Sequence, residues 1–109
     1  MFNLIPIIIM KVNVHAVNFN IDKKLVDFID ERMSKLEKYY DKVVSSDAFL
    51  KVENISEKEN KIVELKVLVP GDDFIVKKQS KTFEEATDLA IESLERLLLK
   101  RKEKLKAHA

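Results

Sequence analysis

At 109 residues, 46% of them apolar, the chain has material for one domain and one modest core. The absence of cysteine excludes disulfide frameworks, thiol nucleophiles and Cys-ligated metal centres, and a single glycine excludes the glycine-rich loops that cradle nucleotide phosphates. Charged side chains reach 36%, yet 20 Lys+Arg against 19 Asp+Glu leave only +1, so their placement carries the information rather than their sum.

Residues 1–10, Met1-Phe2-Asn3-Leu4-Ile5-Pro6-Ile7-Ile8-Ile9-Met10, read as an apolar leader. The run falls far short of the roughly 20 residues that a membrane-spanning helix needs. No Lys or Arg precedes it and no small-residue cleavage site follows, which argues against a secretory signal. The simplest division is a non-native leader over 1–10 and one domain over 11–109. The competing reading makes the leader an extra edge strand or an apolar plug joining two molecules.

Lys11 to Phe19 alternates, with Val12, Val14 and Ala16 on one face and Lys11, Asn13 and His15 on the other, which predicts a strand. Asp22 is a candidate N-cap, with Ile21 and Val26 at the positions of a hydrophobic staple. Leu25, Phe28, Ile29, Met33, Leu36 and Tyr40 recur at helical spacing and predict a helix that stops near Asp41-Lys42. Ala48 to Ile55 and Ile62 to Val69 alternate as two more strands, joined by a polar loop over 56–61. Pro70-Gly71-Asp72-Asp73 is a turn signal, so Phe74 to Ser80 returns as the partner strand of a hairpin. Thr82-Phe83-Glu84-Glu85 is a capping box opening a helix to about Lys106. Its expected buried stripe is Phe83, Ala86, Ala90, Ile91, Leu94, Leu97, Leu98 and Leu105. The order β-α-β-β-β-α predicts an α+β fold in two layers, a four-stranded sheet with two helices on one face.

The charge is strongly polarised along the chain. Residues 96–106 carry six cations and one carboxylate, a local +5, while residues 1–95 carry fourteen cations against eighteen carboxylates, −4. Arg96, Lys100 and Lys104 lie at i, i+4, i+8 and form a ridge along one helix face. Arg101 continues the angle of the buried stripe and is expected to project from the rim of the core. Cations at a helix C-terminus complement the macrodipole, so spacing alone leaves a solvated face and an anion- or RNA-binding face both open. Double-stranded RNA-binding domains share the sheet-plus-two-helices plan but place their basic cluster at the start of the last helix. Here that start, Thr82 to Asp88, is acidic, which disfavours that mode.

Two segments, Met33-Ser34-Lys35-Leu36-Glu37-Lys38-Tyr39-Tyr40-Asp41 and Lys100-Arg101-Lys102-Glu103-Lys104-Leu105-Lys106, together with Thr82-Phe83-Glu84-Glu85-Ala86, resemble the ribosome hibernation-promoting factors, also described as ribosome-associated inhibitors. The resemblance covers about Lys11 to His108. It implies a cytoplasmic factor that binds the small ribosomal subunit in the channel used by messenger and transfer RNA, and reversibly inhibits translation in stationary phase or stress. By position it carries contact with ribosomal RNA onto Arg32, Lys35 and Lys42 of the first helix and onto Arg96, Lys100, Arg101, Lys102 and Lys104 of the second. Lys78 and Lys81 join them from the last strand and its end. The implied partners are the small subunit and its ribosomal RNA, with no membrane, small-molecule substrate, metal or cofactor, and a monomer when free. Longer relatives carry a second domain that pairs ribosomes, which a chain of this length is not expected to include.

The residues support weaker readings as well. Tyr39 and Tyr40 suggest base stacking, but Tyr40 falls on the buried stripe and is expected to pack. His15 faces away from the apolar side of the first strand, as a surface histidine. Asp72-Asp73 with Lys77 would be the only candidate for a catalytic metal or phosphate site, and such a turn is expected to be only a turn. A homodimeric protein-interaction module, joined through the leader or an exposed Leu99, is the alternative from a different functional class.

Overall fold

The computed structural model describes residues 12–38, 40, 42–53 and 58–107. The expected leader, Tyr39, and the end of the strand predicted to reach Ile55 lie outside these residues. Strand β1 (Val12–Ala16) pairs in parallel with β2 (Ser45–Val52), and β2 pairs antiparallel with β3 (Lys61–Val69). Strand β4 (Asp72–Ser80) pairs antiparallel with β3, so the sheet order is β1-β2-β3-β4. A parallel pair needs a crossover, which helix α1 (Lys23–Ser34) supplies between β1 and β2. Helix α2 (Phe83–Ala107) follows β4. This is the α+β, two-layer architecture that the sequence pattern predicts.

The pleat explains the core. Ala48 and Leu50 from β2, and Val63, Leu65 and Val67 from β3, are fully buried under Ile29, Met33 and Leu36 of the first helical segment and Ala86, Leu94 and Leu98 of α2. Asp22 caps α1 by accepting from the Leu25 amide at 2.8 Å, and Thr82 Oγ1 caps α2 by accepting from the Glu85 amide at 3.1 Å. The Phe19 and Phe83 rings stack with centroids 4.7 Å apart, fixing the loop after β1 against the start of α2. Asn18 prolongs the β1–β2 pairing beyond Ala16, with its side chain donating to the Val52 carbonyl at 2.8 Å and accepting from the Val52 amide at 3.0 Å.

The structure differs from expectation at several points; among them, β1 ends at Ala16 instead of Phe19 and β4 begins at Asp72 instead of Phe74. The α-helical hydrogen bonding ends at Ser34, and a 3₁₀ turn over Lys35–Lys38 continues the segment. This tighter turn still delivers Leu36 and Tyr40 to the core, and the Tyr40 amide bonds the Leu36 carbonyl at 3.0 Å. Lys42 consequently sits in a following turn and not on the first helix. Strand β2 begins at Ser45, three residues before the expected Ala48, because Ser45 pairs with Leu68 and Ser46 is fully buried. Cross-strand pairing outweighs the weak strand preference of serine there. Finally, Leu97 and Leu105, expected in the buried stripe of α2, are 38% and 50% exposed. Leu97 lies on the flank of the helix beside the fully buried Leu98, whereas Leu105 lies past the Pro70-Gly71 turn, where Gly71 adopts φ +81° and the sheet ends. The last turns of the helix therefore overhang it.

Candidate nucleic-acid interface

Helix α2 is 25 residues long, roughly 37 Å, and is supported by the sheet only through its first two-thirds. Leu94 and Leu98 are completely buried, and Arg101 is the next residue on that angular position. Its guanidinium folds back onto the end of the sheet instead of projecting from the rim, which corrects the expectation for this residue. Nη1 donates to Asp72 at 2.9 Å, Nη2 to the Pro70 carbonyl at 2.9 Å and Nε to the Tyr40 hydroxyl at 3.2 Å. The planar, five-donor fork of arginine can satisfy a carboxylate, a carbonyl and a phenol together, which an ammonium on a flexible stem cannot do equally well. Arg101 thus clamps α2, the β3–β4 turn and the segment after α1. Tyr40, 5% exposed, packs as its helical spacing predicts.

The other arginines also have protein partners. Arg32 bridges the helices, with Nε donating to Asp88 at 3.0 Å, Nη1 to Glu31 at 3.1 Å and its guanidinium 4.4 Å over the Phe28 ring. Arg96 donates within its own helix to Glu92 and Ser93, each at 3.2 Å. Lys35 reaches Glu31 only at 3.9 Å. On the far side of α1, Lys23 donates to Asp27 at 2.9 Å, and that bond followed by the carboxylate charge raises its ammonium pKa.

Lys100, Lys102 and Lys104 form a contrasting group. All three are exposed, and none has a carboxylate within ion-pairing distance among the described residues. Lys42 belongs to this end of the molecule. It lies between Tyr40, bonded to Arg101, and Val44, whose amide donates to the Leu68 carbonyl at 2.7 Å. Lys78 and Lys81 do not join the group. Lys78 is partly buried on the helix-facing side of edge strand β4, and Lys81 precedes the α2 cap, about 25 Å along the helix from Lys100.

Alternation along β4 also separates the residues of the turn reading. Asp72 shares the helix-facing side with Phe74 and Val76, whereas Lys77 lies on the opposite face. Asp72 is moreover engaged by Arg101. Among the described residues, no three of His, Asp and Glu converge in a metal-binding group. On the open face of the sheet, His15 stacks on Phe49 at 4.7 Å and bonds Asp47 at 3.2 Å, as a surface histidine with neighbours.

One feature of this end has no counterpart in the sequence pattern. Phe74, Leu97 and Asp72 join Lys100, Arg101 and Lys104 around a cleft of about 230 Å³. Asp72 and Phe74 of β4 are more than twenty positions from Leu97, Lys100, Arg101 and Lys104 of α2, and only the return of α2 over β4 brings them together.

The Arg101–Asp72 pair gives a first test. Arg101→Met and Asp72→Asn are each expected to destabilise the protein, and the double variant by less than their sum, with a coupling of about 1 kcal/mol given the half-exposed carboxylate. Urea denaturation of the four proteins measures it. Additive losses would show that the clamp does not hold in solution.

Compared with known proteins, residues 12–106 match the family described as sigma 54 modulation protein / S30EA ribosomal protein. The chain is 30% identical over 99 residues to the ribosome hibernation promoting factor of Klebsiella oxytoca, spanning 91% of this chain and 100% of that one. It is 28% identical over 95 residues to the factor of the same name from Azotobacter vinelandii, spanning 87% and 85%. The ribosome hibernation promotion factor of Bacillus subtilis is 29% identical over 98 residues, and the chain spans 50% of its length. Among solved structures, a ribosomal subunit interface protein from Coxiella burnetii superposes with a TM-score of 0.73 at 20% identity, covering 84% of this chain and 96% of that one. The N-terminal domain of Protein Y from Thermus thermophilus superposes at 0.71 with 20% identity and the same coverages. At that identity the likeness of the two structures is one of fold.

Proposed function

The chain belongs to the sigma 54 modulation protein / S30EA ribosomal protein family, and from that premise we propose that it is a ribosome hibernation factor. It binds the small ribosomal subunit through ribosomal RNA, occupies the channel used by messenger and transfer RNA, and reversibly inhibits translation in stationary phase or stress. The unpaired lysines at the overhanging end of α2 carry this reading. A cationic surface whose lysines have no carboxylate within ion-pairing distance among the described residues is free to neutralise phosphates and release their counterions. Lys100, Lys102, Lys104 and Lys42 make the principal contacts. Arg96 and Lys35, exposed with intrahelical partners, exchange those weak pairs for phosphate, and Lys78 and Lys81 form a second, peripheral contact. Arg32 and Arg101 act chiefly by holding the helices and the hairpin in place.

Residues 11–109 act as one ribosome-binding domain, cytoplasmic and monomeric when free. No helix among the described residues is long and apolar enough to cross a membrane. The resemblance in name of the Klebsiella and Azotobacter relatives supports hibernation as the outcome. The mechanism is steric, since a rigid two-layer domain seated in an RNA channel excludes the other occupants. Occupancy of that channel predicts competition. Pre-loading small subunits with messenger RNA and a P-site transfer RNA is expected to reduce co-sedimentation of the protein, and undiminished binding would place it outside the channel.

A further inference from the structure

We propose that the cleft between α2 and the start of β4 accepts a single unstacked nucleobase of RNA, with the phosphates on either side of it held by Lys100 and Lys104. This deepens the reading of the same surface as an RNA-binding one and rests on it. The cleft has an apolar floor, the partly buried Phe74 and the 38% exposed Leu97, in the middle of the most basic part of the molecule. Its only carboxylate among the described residues, Asp72, accepts from Arg101 at 2.9 Å and is charge-compensated there. The cationic rim consists of Lys100 and Lys104, one helical turn apart on the side of α2 that overlooks β4.

Size and charge choose the occupant. At about 230 Å³ the cleft lies below the ~300–1,000 Å³ of pockets for drug-sized molecules and cofactors, and suits one flat ring system. A purely apolar side chain of a protein partner would leave the two rim ammonium groups without counter-charges. A nucleotide supplies both parts, a ring for Phe74 and Leu97 and a flanking anion for each lysine. Single-stranded or bulged RNA offers such bases, splayed out and stacked on aromatic side chains.

The chain contains no tryptophan, so Phe74→Trp creates a single fluorescent reporter in the cleft. The probe is a 12-nucleotide mixed-sequence single-stranded RNA, compared with an abasic strand of the same length that keeps the phosphates. The wild-type protein is expected to bind the intact strand about five- to 150-fold more tightly, the worth of one base stacked on an aromatic ring. Phe74→Leu, with a native circular dichroism spectrum, is expected to bind both strands alike. The fluorescence of Phe74→Trp is expected to be quenched by the intact strand and not by the abasic one. Equal preference for the intact strand in wild type and Phe74→Leu, or an unquenched Phe74→Trp reporter, would overturn the proposal. Co-sedimentation of the wild-type protein with small subunits is read in parallel. Its failure would count against the ribosomal reading alone, because the oligonucleotide arm decides the cleft by itself.

Discussion

Reversing Lys100, Lys102 and Lys104 together to Glu is expected to weaken binding to small ribosomal subunits by at least about 100-fold near 0.1 M salt. Each phosphate contact contributes a slope of roughly 0.7 in the logarithm of affinity against the logarithm of salt, so losing three removes about two decades at that concentration. Repulsion between the new carboxylates and RNA adds to the loss. The fold should survive, because all three side chains are exposed and unpaired among the described residues, and the clamp residue Arg101 stays in place. A native circular dichroism spectrum with lost co-sedimentation is the expected pair of results. The same reversal at Lys78 and Lys81, at the far end of α2, should cost much less. Equal losses from the two sets would spread the interface over the whole molecule and remove the special role of the overhang.

The second large effect concerns what holds that overhang in position. Leu94→Ala, at a fully buried site against the sheet, is expected to destabilise the protein by about 2–5 kcal/mol, a large share of the roughly 5–15 kcal/mol that a small domain has. Leu97→Ala, three residues further along and 38% exposed, removes a side chain of the same size from a half-open environment and should cost well under half as much. Thermal denaturation of the two variants compares them directly. Similar midpoints would mean that the helix is seated on the sheet at a different rotation, with Leu97 turned into the core.

The contrast between Leu94 and Leu97 also marks where a sequence stops being informative. Hydrophobic spacing places both on the inner side of α2, and Leu105 as well, because periodicity reports angle around a helix and not whether anything lies opposite. The sheet ends at the Pro70-Gly71 turn, so Leu105 keeps the inward angle and is half exposed. The strands, the hairpin and both helix caps could be read directly, since each rests on local chemistry: alternation, a Pro-Gly pair, an Asp or Thr ahead of an apolar run. The 3₁₀ turn over Lys35–Lys38 could not, because the buried positions of Leu36 and Tyr40 fit either helical geometry.

The basic surface was legible as charge and not as availability. Counting residues 96–106 locates the cationic end of the chain, but it treats Arg101 and Lys100 alike. The fold separates them, with Arg101 spent on Asp72, Pro70 and Tyr40, and Lys100 unpaired among the described residues. Partners 29, 31 and 61 positions away leave no trace in local spacing. The same holds for Phe74, whose place beside Lys100 and Lys104 is a consequence of the return of α2 over β4.

The most direct test is co-sedimentation of the full chain with small ribosomal subunits across a salt series. A phosphate-gripping surface built on Lys42, Lys100, Lys102 and Lys104, with Arg96 and Lys35 beside them, predicts that the logarithm of affinity falls against the logarithm of salt with a slope of about −4. A slope near zero, or binding to small subunits that salt leaves unchanged, would contradict an interface held by these lysines.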